Sequence, residues 1–396
     1  MMPLHPEPAG AASSAFARRY REACTSWLIP AMLVLVLRIV FVAIAAAGSV
    51  LLNPAADASR ASLAEMWAHY DAVHYLEIAL HGYASASDPN NTAFFPLYPL
   101  LIRALSSAGF PPLQAGLLIS VLATLIAAIY LSRLANDEIG PGAGPVAVLY
   151  LLLFPTAVYL CAPYTEATFL AGAVPAFYYA RRGNWGRAGI GAAVATATRI
   201  TGVFLLAGLL AEILSKHGIW RANTRRAWVC LVVGSLPLIA YALYLQSLRG
   251  DPLNFVTSQQ VGWGHAIGSP LNVFLSTWRV FWEGRLGNLP VTTGPRLLWL
   301  GEILAMMVGV GFTAWAVQKR EWGYAAYMGS LMMLLLFKGP MYGSVPRFLL
   351  GLFPIPLFLA GFSRNRPVVA LALVGVLAPA ATLGLLIYTR GTSWFY

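Results

Sequence analysis

Long runs of apolar residues, separated by short polar segments, dominate this chain of 396 residues. Several runs approach the length of about 20 residues that a helix needs to cross a bilayer. They lie near 27–47, 113–133, 145–162, 166–180, 227–248, 296–317, 322–338, 346–362 and 367–388. The pattern predicts an all-α fold, a polytopic membrane bundle of helices.

The apolar segment 188–214 departs from this simple pattern. It is long enough for one tilted helix, but basic residues flank both of its ends, and basic flanks mark the cytoplasmic side of a membrane. Because one span cannot return to its own side, we expect two short helices that form a hairpin, broken at ATATRITG (195–202). With this hairpin, the sequence predicts about eleven membrane-crossing or re-entrant helices.

Two long segments, 48–112 and 249–295, are left on the non-cytoplasmic side, and we expect amphipathic helices in both. In WAHYDAVHYLEIALHGY (67–83), four residues recur at helical spacing and would share one face: Trp67, Asp71, His74 and Ile78. Aromatic residues such as Tyr70 suit a helix that lies at the membrane surface. The prolines of AFFPLYPLL (93–101) predict an extended segment after it.

Composition excludes a soluble protein, because 59% of the residues are hydrophobic and only 10% are charged. The net charge is +11, and most of the excess falls in segments assigned to the cytoplasm. It therefore indicates orientation and contact with anionic membrane lipids, not nucleic-acid binding. We interpret residues 1–26 as a basic cytoplasmic lead before an uncleaved first span, and 1–396 as a single domain. The three cysteines show no metal-ligand spacing.

Unusual polar residues collect at the outer ends of the predicted helices. APYTEATFL (162–170) places an acid there, TRITG (198–202) and VPRFLL (345–350) place arginines, and the segment after GDPLNF (250–255) contributes a tryptophan. Together with the first outer loop, these segments give the candidate site residues Trp67, Tyr70, Asp71, His74, Glu166, Arg199, Trp263 and Arg347.

These segments resemble the GPI mannosyltransferase II (PIG-V) family and its bacterial relatives. The resemblance is carried by YDAVHYLEIALHGY with AFFPLYP, then PYTEA, GDPLNF and VPRFLL. It implies a glycosyltransferase of the GT-C fold, a polyprenyl-phosphate-linked sugar as donor, and an acid in the first outer loop as catalytic base. The donor is dolichyl-phosphate mannose in the eukaryotic members. Where the family has a Trp-Asp pair, this chain has Tyr70-Asp71.

Residue chemistry points the same way independently of the resemblance. Transfer of a sugar from a lipid phosphate needs one base for the acceptor hydroxyl and cations for the leaving phosphate. Asp71 is the predicted base, and Arg199 and Arg347 are the predicted phosphate ligands. A glycosidase would instead need two carboxylates that flank the bond. Asp71 and Glu77 lie on different faces of a helix and cannot form that pair.

The remaining candidates are predicted to bind substrate, and a purely structural role is the alternative for each. His74 and Trp263 would contact sugar or anchor the protein at the interface. Glu166 would belong to the site or simply favour a helix N-terminus. No aspartate-x-aspartate motif requires a metal, and no other cofactor is predicted. Arg38 lies mid-span, so we expect it to pair with an acid or to line a cavity.

Three functions remain open from the sequence. The first is an inverting glycosyltransferase that moves mannose or a similar hexose to an unidentified glycan, lipid or protein acceptor. The second is a transporter or flippase of a lipid-linked sugar, which usually has internal repeats and ionisable residues at the midplane. The third is a structural subunit without activity. We predict a bacterial inner membrane, a cytoplasmic N-terminus and an active site on the outer face.

Overall fold

A computed structural model gives the fold and describes residues 27–51, 64–85, 88–217, 224–264, 266–286, 289–290 and 293–391. The predicted lead 1–26 lies outside these ranges. Within them the chain is helical apart from turns, two short 3₁₀ segments and one antiparallel hairpin of β1 (Arg285–Leu286) with β2 (Leu289–Pro290). The fold class is therefore the all-helical bundle that the apolar pattern predicts.

Seventeen α-helices follow one another through the described residues. In chain order they are α1 Ile29–Leu51, α2 Asp71–His81, α3 Leu97–Ser107, α4 Pro112–Glu138, α5 Ala143–Leu152, α6 Val158–Cys161, α7 Thr165–Arg181, α8 Trp185–Thr198, α9 Gly202–His217, α10 Thr224–Arg249, α11 Asn254–Trp263, α12 Pro270–Glu283, α13 Thr293–Gln318, α14 Trp322–Phe337, α15 Val345–Leu350, α16 Pro354–Ser363 and α17 Pro367–Thr389.

Five of the described helices are long and apolar enough to cross a membrane, so the protein is an integral multi-pass membrane protein. The apolar segments of these helices are Ile29–Leu51, Pro112–Glu138, Arg225–Arg249, Arg296–Gln318 and Pro367–Thr389. Shorter apolar helices, α5, α14 and α16, accompany them. The predicted total of eleven crossing or re-entrant helices is not confirmed by these lengths and stays a prediction.

Two segments predicted as single spans are each divided into two helices. Segment 145–162 contains α5 and the one-turn α6, and Pro155 lies in the break between them. Segment 346–362 contains α15 and α16, and Pro354 begins the second helix. Proline lacks an amide hydrogen and so cannot continue the hydrogen-bond ladder of a preceding helix, which explains both breaks.

Segment 188–214 forms the two helices that its basic flanks predict. α8 ends at Thr198, Arg199 is extended, and α9 begins at Gly202. Arg199 donates to Thr165 at the start of α7, whereas Glu212 in the last part of α9 lies 3.3 Å from Arg181 at the end of α7. The break and the return of α9 therefore lie at opposite ends of α7, as a hairpin requires.

Small residues bring α7 and α8 together. A Cβ atom added at Gly172 would lie 2.6 Å from the carbonyl oxygen of Gly191, and one added at Gly191 would lie 2.7 Å from the carbonyl oxygen of Gly172. Close approach of backbones at small residues is the usual way in which membrane helices associate. This packing fixes Arg199, at the end of α8, against the start of α7.

The first outer loop contains the predicted helix but with a later start. Trp67 belongs to a separate 3₁₀ segment, Glu65–Trp67, and α2 begins at Asp71. Tyr70 between them has φ 54° and ψ −124°, a conformation that no helix contains. Trp67 therefore does not share a helical face with Asp71 and His74, and that prediction was wrong. The extended segment predicted at 93–101 is also wrong in its second half, which begins α3 at Leu97.

Charged residues at the end of the bundle remote from Arg199 form a separate ionic cluster. The guanidinium of Arg181 pairs with Glu138 at 2.5 Å, Glu321 at 2.6 Å and Glu212 at 3.3 Å. These acids come from α4, from the turn before α14 and from α9, respectively. The sequence places all four residues on the cytoplasmic side, and the structure brings them to the same end of the bundle.

Arg38, in the middle of α1, is bonded to backbone carbonyl groups. Its Nη1 donates to the carbonyl oxygen of Leu160 at 3.1 Å, and its Nη2 donates to that of Leu117 at 3.5 Å. Its side chain also lines a small apolar cavity between α1, α4 and the α5–α6 break. Of the two predicted environments, an acid or a cavity, the cavity is confirmed. The helix end at Cys161 explains the bond to Leu160, because carbonyl groups at a helix end lack an intrahelical partner, whereas Leu117 lies inside α4.

Candidate active site

Two carboxylates that are distant in sequence share one arginine at the Arg199 end of the bundle. Arg347 Nη1 lies 2.5 Å from Asp71 Oδ2, and Arg347 Nε lies 2.5 Å from Glu166 Oε1. Arg199 Nη1 also pairs with Glu166 Oε1 and donates to Thr165 Oγ1 at 2.9 Å. The structure therefore brings four of the eight predicted site residues into one ionic network.

Local chain geometry explains why the two acids are there. Asp71 is the first residue of α2, and Glu166 is the second residue of α7. Backbone N–H groups at helix N-termini carry partial positive charge, which stabilises carboxylates. Arg199 leaves α8 at its break, and Arg347 lies in the first turn of α15. Four chain breaks or helix starts therefore supply the four charged groups.

The network is balanced in charge but incomplete in hydrogen bonding. Two ionised acids and two arginines sum to no net charge. Glu166 is 2% exposed, and its Oε2 has no hydrogen-bond partner among the described residues. Asp71 is more open, with 19% of its side chain exposed, and Arg347 occupies its Oδ2. Across the described ranges no hydrogen bond reaches Asp71 Oδ1. Two carboxylate oxygens are thus left to accept from a ligand.

The rings of Tyr159 and Tyr164 pack against the Arg347 guanidinium of the network. The guanidinium of Arg347 lies over the rings of Tyr159 and Tyr164, 4.9 and 4.7 Å from their centroids. The Tyr164 hydroxyl donates to the carbonyl oxygen of His69 at 3.0 Å and accepts from the amide of Asp71 at 3.2 Å. Burial raises the pKa of Tyr164 well above its usual value, so this hydroxyl stays protonated and can donate. It fixes the backbone turn from which Asp71 projects.

Tyr70 lies in that turn with a strained backbone. A φ of 54° is uncommon outside glycine and persists where surrounding contacts impose it. Its ring packs against those of His69 and Tyr388, with centroids 6.0 and 5.8 Å away. In this chain the aromatic residue before Asp71 thus packs within a protein cluster; its predicted contact with substrate stays a prediction.

His74, one turn after Asp71 on α2, meets Trp263. The His74 ring stacks on Phe94 at 4.9 Å and meets the edge of Trp263 at 5.9 Å. Asn91 donates from Nδ2 to Glu77 and presents its Oδ1 to His74 Nδ1 at 2.7 Å. Because a carbonyl oxygen only accepts, His74 Nδ1 carries the hydrogen. Two further predicted residues are therefore neighbours, although Trp263 comes from the second outer loop.

Trp67, a predicted site residue, lies in the helical core beside Arg38 and outside the ionic network. It is 4% exposed, and its ring lies against the Arg38 guanidinium at 5.8 Å. Its carbonyl oxygen accepts from the Tyr388 hydroxyl at 2.8 Å. Trp67 is thus part of the helical core. The helical spacing that grouped it with Asp71 does not apply, because the helix begins four residues later.

Lys338 is a cation near the network that the sequence pattern did not single out. It follows the last residue of α14, and its Nζ lies 4.5 Å from the centroid of the Phe348 ring. Arg199 Cζ lies 5.9 Å from that same centroid. The residue was assigned to the end of a predicted span, 322–338. A lysine at the end of an apolar run could have marked it, but snorkelling explains such lysines equally well.

The geometry changes two chemical arguments made from sequence. The case against hydrolysis counted one acid, yet Glu166 joins Asp71 on the same guanidinium. The two arginines predicted to bind phosphate are both engaged by carboxylates. Across the described residues no three histidine, cysteine or acidic side chains are grouped closely enough to hold a metal ion. That the reaction requires no metal therefore stays a prediction from the sequence.

Comparison with known proteins identifies the family. The family model described as mannosyltransferase (PIG-V) matches residues 21–224, just over half of the chain. The chain belongs to the PIG-V mannosyltransferase family. The part matched to the PIG-V family contains Asp71, Glu166 and Arg199, whereas Trp263 and Arg347 lie beyond it.

Curated relatives match shorter stretches. GPI alpha-1,6-mannosyltransferase 2 of Mus musculus is 31% identical over 202 residues, which cover 45% of this chain and 40% of the mouse protein. Its Homo sapiens counterpart is 37% identical over 114 residues, which cover 26% of this chain and 22% of the human protein. This PIG-V family chain thus spans two fifths or less of the length of these relatives.

A crystal structure of ArnT from Cupriavidus metallidurans, bound to undecaprenyl phosphate, is similar over 89% of this chain and 74% of ArnT. The TM-score is 0.49 and the sequence identity is 15%. Values at this level are too low to support conclusions about the PIG-V family site.

Proposed function

We propose that the protein is a membrane glycosyltransferase that moves a sugar, mannose, from a polyprenyl-phosphate donor to an acceptor hydroxyl. The observation that carries the proposal is the partly exposed Asp71, one oxygen of which has no partner among the described residues while Arg347 bonds the other. Family membership supports the reaction class, and the relatives named GPI alpha-1,6-mannosyltransferase 2 support mannose.

In this mechanism Asp71 is the general base. The acceptor hydroxyl donates to Asp71 Oδ1, and its oxygen attacks the anomeric carbon from the face opposite the phosphate. The new C–O bond forms while the bond from the anomeric carbon to the phosphate oxygen breaks. The bonding electrons stay on the leaving polyprenyl phosphate, and the proton passes to Asp71. Attack from the opposite face inverts the anomeric configuration.

Arg347 orients the base in this scheme. It bonds one oxygen of Asp71 at 2.5 Å and is itself fixed by Glu166, so the second oxygen has a defined direction. Glu166 is the less suitable base because it is buried and bonded by two arginines. Its unpartnered Oε2 fits a hydroxyl group of the bound sugar, since buried acceptors normally have a donor.

His74 and Trp263 form the second part of the proposed site. An aromatic face beside a histidine acceptor suits a sugar ring, which combines apolar C–H groups with hydroxyls. The hydrogen on His74 Nδ1, held by Asn91, leaves Nε2 as the nitrogen that can accept. We assign this pair to the acceptor. We place the site at the outer face of a bacterial inner membrane, where a lipid-linked donor would enter from between the helices.

The test is a donor-consumption assay with the full chain in lipid nanodiscs. Polyprenyl-phosphate mannose, glucose and galactose are each supplied with a glycolipid extract as acceptor, and free sugar is measured separately from transferred sugar. We expect the mannose donor to be consumed and its sugar to appear in the lipid fraction. Release of free sugar alone would indicate hydrolysis, and transbilayer movement of intact donor would indicate a flippase. Either result would overturn the proposal.

A further inference from the structure

Lys338 is held rigidly beside the ionic network. The segment after α14 pairs with residues 266–268: Gly268 N–H donates to the carbonyl oxygen of Phe337 at 2.7 Å, and Gly339 N–H donates to that of Ala266 at 2.5 Å. The Lys338 ammonium lies over the ring of Phe348, one residue after Arg347. Its position is therefore set by backbone bonds on both sides and by an aromatic ring.

The ammonium of Lys338 has no carboxylate partner in the described part of the chain. Its acidic neighbour is Glu302 on α13, but both oxygens of Glu302 already accept from the backbone amides of Ser344 and Val345, at 3.0 and 2.8 Å. Arg199 and Arg347, in contrast, each pair with an acid. The four-residue network has no net charge, so among the described residues the Lys338 charge beside it lacks a compensating acid.

We propose that Lys338 binds the phosphate group of the lipid-linked donor. The inference rests on the proposed function, and it names the group that distinguishes the donor from an uncharged polyprenyl lipid. A sugar phosphodiester carries one negative charge, which matches the one cation beside the network that has no acidic partner among the described residues. Phe348, which carries Lys338 on its ring and also contacts Arg199, borders the small cavity next to Glu166.

The charge change of the reaction strengthens this assignment. When the bond to the anomeric carbon breaks, the electron pair stays on the phosphate, which becomes a monoester with a second negative charge. Lys338 contributes hydrogen bonds and charge, and no proton leaves it. A fixed cation stabilises the transition state more than the ground state because charge develops on the leaving oxygen. Lys338 therefore serves both donor binding and turnover.

The first experiment compares binding of undecaprenyl phosphate with binding of undecaprenol, which lacks the phosphate. Binding to the detergent-purified full chain is measured for the wild type, Lys338→Met and Lys338→Arg. Lys319→Met is the matched control, because Lys319 is an exposed lysine next to the remote ionic cluster. We expect Lys338→Met to weaken phosphate binding about ten- to a hundredfold. Undecaprenol binding, the arginine variant and the control should change little.

The charge-conserving variant separates a phosphate contact from a structural role. Arginine keeps a positive charge at this position and can bond phosphate, so Lys338→Arg should bind undecaprenyl phosphate nearly as tightly as the wild type. Methionine removes the charge but keeps an apolar side chain of similar length, so a loss confined to Lys338→Met assigns the effect to charge.

The outcomes distinguish the two proposals. If the wild type binds undecaprenyl phosphate and Lys338→Met binds it equally well, the assignment of Lys338 is overturned and the glycosyltransferase proposal stands. If the wild type binds the phosphate no better than undecaprenol, both are overturned. A Lys338→Met variant that loses undecaprenol binding as well would show a structural role and would also overturn the assignment.

Discussion

Replacement of Asp71 by Asn tests the proposed base directly. Asn keeps the size of the side chain and can still accept from Arg347 through its amide oxygen, but it cannot take the acceptor proton. Loss of a general base lowers rates by about 10²–10⁴, which corresponds to about 3–5 kcal/mol of barrier. We expect the turnover number for sugar transfer to fall by this factor.

The salt bridge to Arg347 adds a structural consequence to the same substitution. A hydrogen bond from charged Arg347 to a neutral amide replaces one that links two charges at 2.5 Å, so we expect a stability loss of about 1 kcal/mol. Arg347 retains Glu166, which keeps the loss small. The site also gains one unit of positive charge, so affinity for undecaprenyl phosphate should be unchanged or higher. This combination of slow turnover with intact binding identifies a base.

The assay measures initial transfer rates at saturating donor, binding of undecaprenyl phosphate, and thermal unfolding of the same preparation. Asp88→Asn is the matched control, because Asp88 caps the 3₁₀ segment Pro89–Ala93, and Asn caps as well as Asp. Transfer by Asp71→Asn at the wild-type rate would refute the assignment and make Glu166 the next candidate. A large loss of folded protein would instead assign Asp71 to the ion pair alone.

Three further experiments test the network, the hairpin and the proposed acceptor site. Arg347→Gln leaves two carboxylates without their shared cation and should destabilise the protein by about 3–5 kcal/mol; an unchanged unfolding midpoint would contradict this. Single cysteines at Gly186 and Ser215, both exposed, should react with a membrane-impermeant reagent from the same side, and labelling from opposite sides would refute the hairpin topology. Trp263→Ala should raise the acceptor KM several-fold while leaving donor binding unchanged, whereas Trp282→Ala, at an exposed tryptophan of α12, should do neither.

Charge placement made part of the fold predictable from sequence. The hairpin of α8 and α9 was inferred from basic flanks, since arginine and lysine mark sidedness regardless of how helices pack. The breaks in 145–162 and 346–362 were missed because their composition is apolar throughout, although Pro155 and Pro354 stood within them. Apolar composition reports burial or lipid contact, and it does not report where a helix is interrupted.

The ionic network was predictable in its members but not in its bonding. Asp71, Glu166, Arg199 and Arg347 were singled out because ionisable residues near apolar spans are costly and usually functional. The pairing of Arg347 with both acids depends on tertiary packing, which sequence spacing cannot give. Trp67 was misplaced because the helical pattern assumed an unbroken helix through Tyr70. Lys338 was missed because its significance depends on which other cations already have partners.

The ion pair between Asp71 and Arg347 also sets an order of events during biosynthesis. The two residues are separated by 276 positions. At about 5–20 residues per second, a ribosome adds Arg347 roughly 14–55 s after Asp71. For the last 181 positions of that interval the nascent chain holds both Asp71 and Glu166 but not the cation that they share. The ionic network therefore becomes complete late in synthesis, and truncated chains that end before α15 should be recognised by membrane quality control as unassembled.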